Sequence, residues 1–200
     1  LDRPSGMFID LAAGYEHNCA VGSDHRIQCW GNDELGHLSG QPDLDFVKVS
    51  TGWYHTCGLD SDGSIHCWGA GTTDDGCDWG QIGGSEPSAY ECGQADPPEG
   101  AFLQIGSGPL HSCAVRTNGQ VECWGIYNTE DMATASAPAG NFKQLDAGDL
   151  FNCGVLEDDG LKCWGLDGYL FEDYAISELM EEDADGDGAD RFSDCDDSDP

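Results

Sequence analysis

Residues 52 to 69, Gly-Trp-Tyr-His-Thr-Cys-Gly-Leu-Asp-Ser-Asp-Gly-Ser-Ile-His-Cys-Trp-Gly, decide the fold. His55-Thr56-Cys57-Gly58-Leu59 reads as one strand and Ser64-Ile65-His66-Cys67-Trp68 as its return. Between them Ser61-Asp62-Gly63 forms a short loop with glycine at the left-handed position. In that register, facing residues have numbers summing to 124, so Leu59 faces Ile65 and Cys57 faces Cys67. Directly opposed β-carbons lie about 4.5 to 5.5 Å apart, close to disulfide reach.

The same unit occurs four times, over residues 8–31, 46–69, 102–125 and 142–165, each 24 residues long without internal insertion. Every copy has Phe at its first position, an aliphatic at the fourth (Leu11, Val49, Ile105, Leu145) and Gly at the seventh (Gly14, Gly52, Gly108, Gly148). Each ends in Cys-Trp-Gly. A repeat of this kind specifies one supersecondary unit stacked on its neighbours. The hairpin register pairs Cys19 with Cys29, Cys57 with Cys67, Cys113 with Cys123, and Cys153 with Cys163. Each pair closes a loop of about ten residues, a contribution of about 2 to 3 kcal/mol in the chain-entropy model. Copies one and four carry His25 and Asp159 where Gly63 and Gly119 stand, and both residue types tolerate a left-handed backbone. A competing metal site would use His17/Cys19, His55/Cys57 and His111/Cys113. Zinc knuckles with their Cys-x2-4-Cys spacing are missing, and copy four has Phe151 in place of the histidine. The histidines are therefore expected to be structural, bonding turn backbone between strands.

The pattern Phe-x-x-aliphatic-x-x-Gly-x-x-His-x-Cys, a turn, then aliphatic-x-Cys-Trp-Gly resembles the repeats of the regulator of chromosome condensation family over residues 8 to 165. The resemblance implies an all-β fold, a β-propeller in which each repeat supplies most of one blade. The paired cysteines look like the secreted bacterial form. The Gly-Gln-Leu-Gly that usually follows Trp-Gly survives only as Glu34-Leu35-Gly36. Family propellers have more blades than four. The array is thus expected to be partial, to be completed by a partner, or to close as a small ring.

The connections between copies are 14, 32 and 16 residues long, so 70–101 is an insertion within a propeller-like domain spanning 1–171. It holds Cys77 and Cys92, a natural staple, and Trp79 and Tyr90. These aromatics either anchor a partner or simply cover a blade edge. The remaining segment, 172–200, is an acidic tail. From Asp183 it runs Asp-Ala-Asp-Gly-Asp-Gly, placing Asp183, Asp185 and Asp187 at alternate loop positions before a glycine, as hard-cation loops do. The Ala189 carbonyl and the carboxylates of Asp190, Asp194, Asp196, Asp197 and Asp199 add oxygens, in a pattern that resembles thrombospondin type 3 repeats. Calcium is the expected cofactor. Cys195 is left over, unpaired or bound to another chain, or paired to sequence further along.

Composition narrows the function. Seven basic against 39 acidic residues give a net charge of 7 − 39 = −32, of which 1 − 13 = −12 falls in residues 172–200. So acidic a chain has no cationic patch for nucleic acid or an anionic membrane surface. No apolar run approaches the length of a membrane span. Eleven cysteines indicate an oxidising compartment, and the chain reads as a processed or partial exported protein. No nucleophile elbow, phosphate loop or zinc-hydrolase motif is present, so no catalytic residue is assigned. The expectation is a secreted or cell-surface structural subunit that self-associates or joins another extracellular protein. The alternatives are an adhesion module gripping protein or glycan through 70–101, and a secreted enzyme.

Overall fold

The computed structural model describes residues 4–72, 91–125 and 137–165. The chain divides into two units, Leu1–Leu166 and Asp167–Pro200, and the described residues all belong to the first. Among the described residues twelve strands form four antiparallel sheets, each with its strands in sequence order. Blade 1 comprises β1 (Phe8–Ala13), β2 (His17–Gly22) and β3 (Ile27–Gly31). Blade 2 comprises β4 (Phe46–Thr51), β5 (His55–Asp60) and β6 (Ile65–Gly69). Blade 3 comprises β7 (Phe102–Ser107), β8 (His111–Arg116) and β9 (Val121–Gly125). Blade 4 comprises β10 (Phe142–Ala147), β11 (Phe151–Leu156) and β12 (Leu161–Gly165). Among the described residues no helix is long and apolar enough to cross a membrane.

The hairpin register is the expected one: Leu59 faces Ile65 and Cys57 faces Cys67, with the same alignment in every blade. All four cross-strand disulfides are formed, Cys19–Cys29, Cys57–Cys67, Cys113–Cys123 and Cys153–Cys163, over Cα separations of 4.0 to 4.1 Å. The left-handed turn position is filled by Gly63 and Gly119 and, at φ of 64° and 68°, by His25 and Asp159. Each blade also has an inner strand that begins at the repeat's first-position phenylalanine, with a register shift just after it (Phe8/Asp10, Phe46/Lys48, Phe102/Gln104, Phe142/Gln144). Such a bulge bends the strand away from a flat sheet.

Blades pack face to face in chain order, and one interface recurs three times. The disulfide side of a blade (Cys19, Val21, Ile27) meets the phenylalanine side of the next (Phe46, Val49, Trp68). Likewise Cys57, Leu59 and Ile65 meet Phe102, Ile105 and Trp124, and Cys113 and Val115 meet Phe142, Leu145 and Trp164. The cystines thus form core as well as staples, since Cys19, Cys57 and Cys113 are all fully buried. Across each junction the hairpin-turn carbonyl of His25, Gly63 or Gly119 accepts the N–H of Phe46, Phe102 or Phe142 at 2.8 to 2.9 Å. The sheets do not close: among the described residues the inner strands contact one another from β1 to β4 to β7 to β10, and Leu11 at one end and Leu161 at the other are exposed.

Candidate functional site

The inner and middle strands of each blade are joined by a short turn that follows the seventh-position glycine. These turns converge from all four blades. A β-carbon on Gly14 would lie 2.5 Å from the Gly52 carbonyl, one on Gly52 would lie 2.4 Å from that of Gly108, and one on Gly108 would lie 2.5 Å from that of Gly148. Glycine is required because successive blade backbones touch there. Tyr15 and Trp53 donate their N–H groups to the carbonyls of Gly52 and Pro109. The result is a shallow groove of about 220 Å³, lined by Tyr15, Trp53, Pro109 and Asp149, one residue from each blade.

Aromatic rings gather at one side of this groove. Tyr15 lies 5.4 Å from Trp53 and edge-on to Tyr54 at 6.4 Å, and Trp53 and Tyr54 are also edge-on at 6.4 Å. Tyr15 is 63% exposed despite these contacts. The neighbouring charges, Glu16 and Asp149, are acidic, and no lysine or arginine lines the groove. Exposed aromatic faces beside carboxylates are suited to apolar and cationic side chains, which rings attract through cation–π contact.

Beneath the groove runs a ladder of buried histidines. His17 Nε2 bonds Thr56 Oγ1 at 2.8 Å, His55 Nε2 bonds Ser112 Oγ at 2.9 Å, and His111 Nε2 donates to Asn152 Oδ1 at 3.0 Å. The expectation that these histidines bond turn backbone is corrected: each reaches a side chain of the next blade, because the close approach at the glycines brings that blade within reach. Burial, helped by the neighbouring His37, pushes the His17 imidazole down to about 4. Burial, with His111 and His17 alongside, pushes His55 down to about 3. His111 is lowered by burial too. The cysteine neighbours of these histidines are in disulfides, and each Nε2 is already engaged by a side chain of the next blade. Among the described residues no group of three metal-ligating side chains gathers.

Two buried residues of the connecting segments have no counterpart in the sequence reading. The His37 carbonyl accepts Trp68 Nε1 at 2.9 Å and Thr56 Oγ1 at 3.0 Å. The Gln94 carbonyl accepts Trp124 Nε1 at 2.9 Å. Both belong to segments that look like plain loops, yet both satisfy the indole of a repeat tryptophan. Residues 91–101 of the insertion are therefore partly structural. Cys92 is buried and disulfide-bonded. Trp79, Tyr90, Cys77, Cys195 and the calcium candidates Asp183, Asp185, Asp187, Ala189, Asp190, Asp194, Asp196, Asp197 and Asp199 lie outside the described residues.

The model of the regulator of chromosome condensation (RCC1) repeat matches residues 8–36 and 46–76. No curated protein matches the chain. Among solved structures, the chain is similar to the CRINKLY WD40 ectodomain of the receptor kinase ACR4 from Arabidopsis thaliana. The identity is 30% and the TM-score 0.60, over 78% of this chain and 50% of that one. It is also similar to the ectodomain of the receptor kinase CR4 from Physcomitrella patens, at 24% identity and TM-score 0.58 over 78% of this chain and 38% of that one. Prp20p from Saccharomyces cerevisiae, whose binding to Gsp1p and histones was described with its structure, shares the fold. That match has 17% identity and TM-score 0.58 over 82% of this chain and 46% of that one. The chain thus spans about half the length, or less, of these three solved structures.

Proposed function

We propose that this chain is an extracellular, non-enzymatic protein-binding module that receives a basic, partly apolar segment of a partner on the groove lined by Tyr15 and Trp53. The observation that carries the reading is the meeting of four turns, one per blade, at an exposed Tyr15 packed on a half-buried Trp53, flanked by acidic groups. Its support comes from four disulfides, which belong in a non-reducing environment, and from the likeness at 30% identity to a receptor ectodomain. The net charge of −32 favours encounter with a cationic partner.

The test is a binding screen against lysine- and arginine-containing peptides with interspersed aromatic or aliphatic residues. Tyr15→Ala with Trp53→Ala should abolish capture with the four disulfides intact, whereas Trp79→Ala with Tyr90→Ala should leave it unchanged. The reverse pattern would move the site to the insertion and favour the adhesion reading. The acidic tail is proposed to hold calcium through Asp183, Asp185 and Asp187 with the oxygens that follow, on the strength of the sequence pattern. Calorimetric titration with calcium should give a binding heat that Asp185→Ala with Asp187→Ala removes. The exposure of Phe8 and Leu11 on blade 1 and of Leu161 on blade 4 favours a second reading, a structural subunit of a surface assembly.

A further inference from the structure

We infer that the two ends of the array are complementary to each other, and that a second copy of this chain docks head to tail, with the phenylalanine side of its blade 1 on the disulfide side of blade 4. The occupant is specified by the molecule itself. The same pair of surfaces meets at all three internal junctions, and the two ends present one half each. Inside the array, Phe46, Phe102 and Phe142 are at most 2% exposed; at the end of blade 1, Phe8 is 37% exposed. Val49, Ile105 and Leu145 are 5 to 8% exposed, whereas the equivalent Leu11 is 66% exposed. Trp30 is half-buried where the other three repeat tryptophans are buried.

The opposite end shows the matching deficit. Cys19, Cys57 and Cys113 are fully buried by the following blade, while Cys153 is half-buried. Leu161 is 51% exposed, against 6% and 7% for the equivalent Ile27 and Ile65. Around it Val155, Cys153 and Gln144 line an open apolar hollow. The polar part of the junction is also in place. The Asp159 carbonyl occupies the turn position from which His25, Gly63 and Gly119 accept a phenylalanine N–H, and Phe8 occupies the donor position. A copy docked in this way repeats an interface whose geometry the chain already uses three times. Heterologous contact of this kind builds rings or open chains, with no symmetric patch required.

Blade 4 departs from the internal pattern at two positions, and these set the strength of the contact. Phe151 stands where His17, His55 and His111 bond the next blade, so Asn18 of an incoming copy receives no imidazole. Asp146 stands where Ala12, Ser50 and Gly106 are small; a β-carbon on Gly106 would already lie 2.8 Å from Leu145 of the next blade. The junction between copies is therefore looser than those within a copy and is broken by dilution.

Sedimentation velocity on the full oxidised chain, carrying Cys195→Ser to remove the leftover thiol, tests this. The chain should associate reversibly as its concentration rises through the micromolar range. Leu11→Glu blocks one face and Leu161→Glu the other, so each variant alone should remain monomeric. Their mixture should form a one-to-one pair, because it retains one intact face of each kind; this recovery also shows that both variants are folded. Phe151→His with Asp146→Gly restores the internal pattern and should tighten association several-fold to about tenfold, the equivalent of one hydrogen bond. A chain that stays monomeric throughout would overturn the proposal. So would a mixture that fails to pair, or blocked variants that associate as the parent does.

Discussion

Acid should destabilise the array through the histidine ladder, by an amount the structure sets. An exposed imidazole has a pKa near 6.5, whereas His17 titrates at about 4 and His55 at about 3 in the folded chain. Between those values the unfolded chain binds protons that the folded chain refuses. Stability is therefore complete above pH 6.5 and falls as the pH drops, by about 1.4 kcal/mol per unit for each histidine. It levels off only below the folded values. At pH 4.5, two units down, His17 and His55 together remove about 5 kcal/mol, and His111 adds to this. That approaches the whole stability of an ordinary domain. The assay is denaturant unfolding between pH 4.5 and 8, followed by fluorescence of the interface tryptophans. Surface carboxylates also titrate in the lower part of the window, and relief of charge repulsion acts in the opposite direction, so the informative quantity is a difference. His55→Gln cannot take up the proton and should make the dependence shallower by about 1.4 kcal/mol per pH unit across the window. Parent and variant curves of equal slope would refute the ladder as the origin of acid sensitivity.

Thr56→Val leaves His17 Nε2 without a partner in a buried site and should cost about 1 to 3 kcal/mol by denaturant unfolding, with little change in shape. Ile105→Ala opens a cavity at a buried junction and should cost about 2 to 5 kcal/mol, whereas Leu11→Ala, at the same repeat position on an open face, should cost well under about 1 kcal/mol in dilute solution. Gly52→Ala should abolish folding or detach a blade, since its β-carbon would sit 2.1 Å from His55 Cε1 and 2.4 Å from the Gly108 carbonyl. Hydrogen exchange of the inner strands reports which. Replacing Cys113 and Cys123 by Ala should lower stability by about 2 to 3 kcal/mol from loop entropy, plus a packing loss because Cys113 lies in the core between blades.

The cystine pairs, the hairpin register and the left-handed His25 and Asp159 were legible because each depends on residues close in sequence. The alternation that places Cys57 opposite Cys67 leaves little freedom once the turn is found. The inner strands carry the same information in a weaker form. Val47-Lys48-Val49 alternates, but the bulge after Phe46 interrupts the period that marks a strand. What could not be read was everything that depends on the distance between blades. The histidines look like turn-bonding residues until the close approach at Gly14, Gly52 and Gly108 places a hydroxyl or amide of the next blade within reach. His37 and Gln94 act through their carbonyls, which carry no side-chain signature, so nothing in their segments announces that a tryptophan depends on them. The aromatic groove was hidden for a similar reason: Tyr15 and Trp53 belong to different repeats, and only the convergence of turns makes them one surface. Trp79 and Tyr90 stand out in the sequence because they lie in the longest connection.

Hydroxyl-radical footprinting of the oxidised chain, read residue by residue by mass spectrometry over a range of concentrations, tests most directly whether the array is open with complementary ends. At high dilution Phe8, Leu11 and Leu161 should be oxidised readily while Phe46, Phe102 and Phe142 are protected. As concentration rises, the three end residues should become protected together. Phe8 and Leu11 as protected as Phe46 and Val49 at the lowest concentration would contradict it, because blade 1 would then already be covered within a single chain.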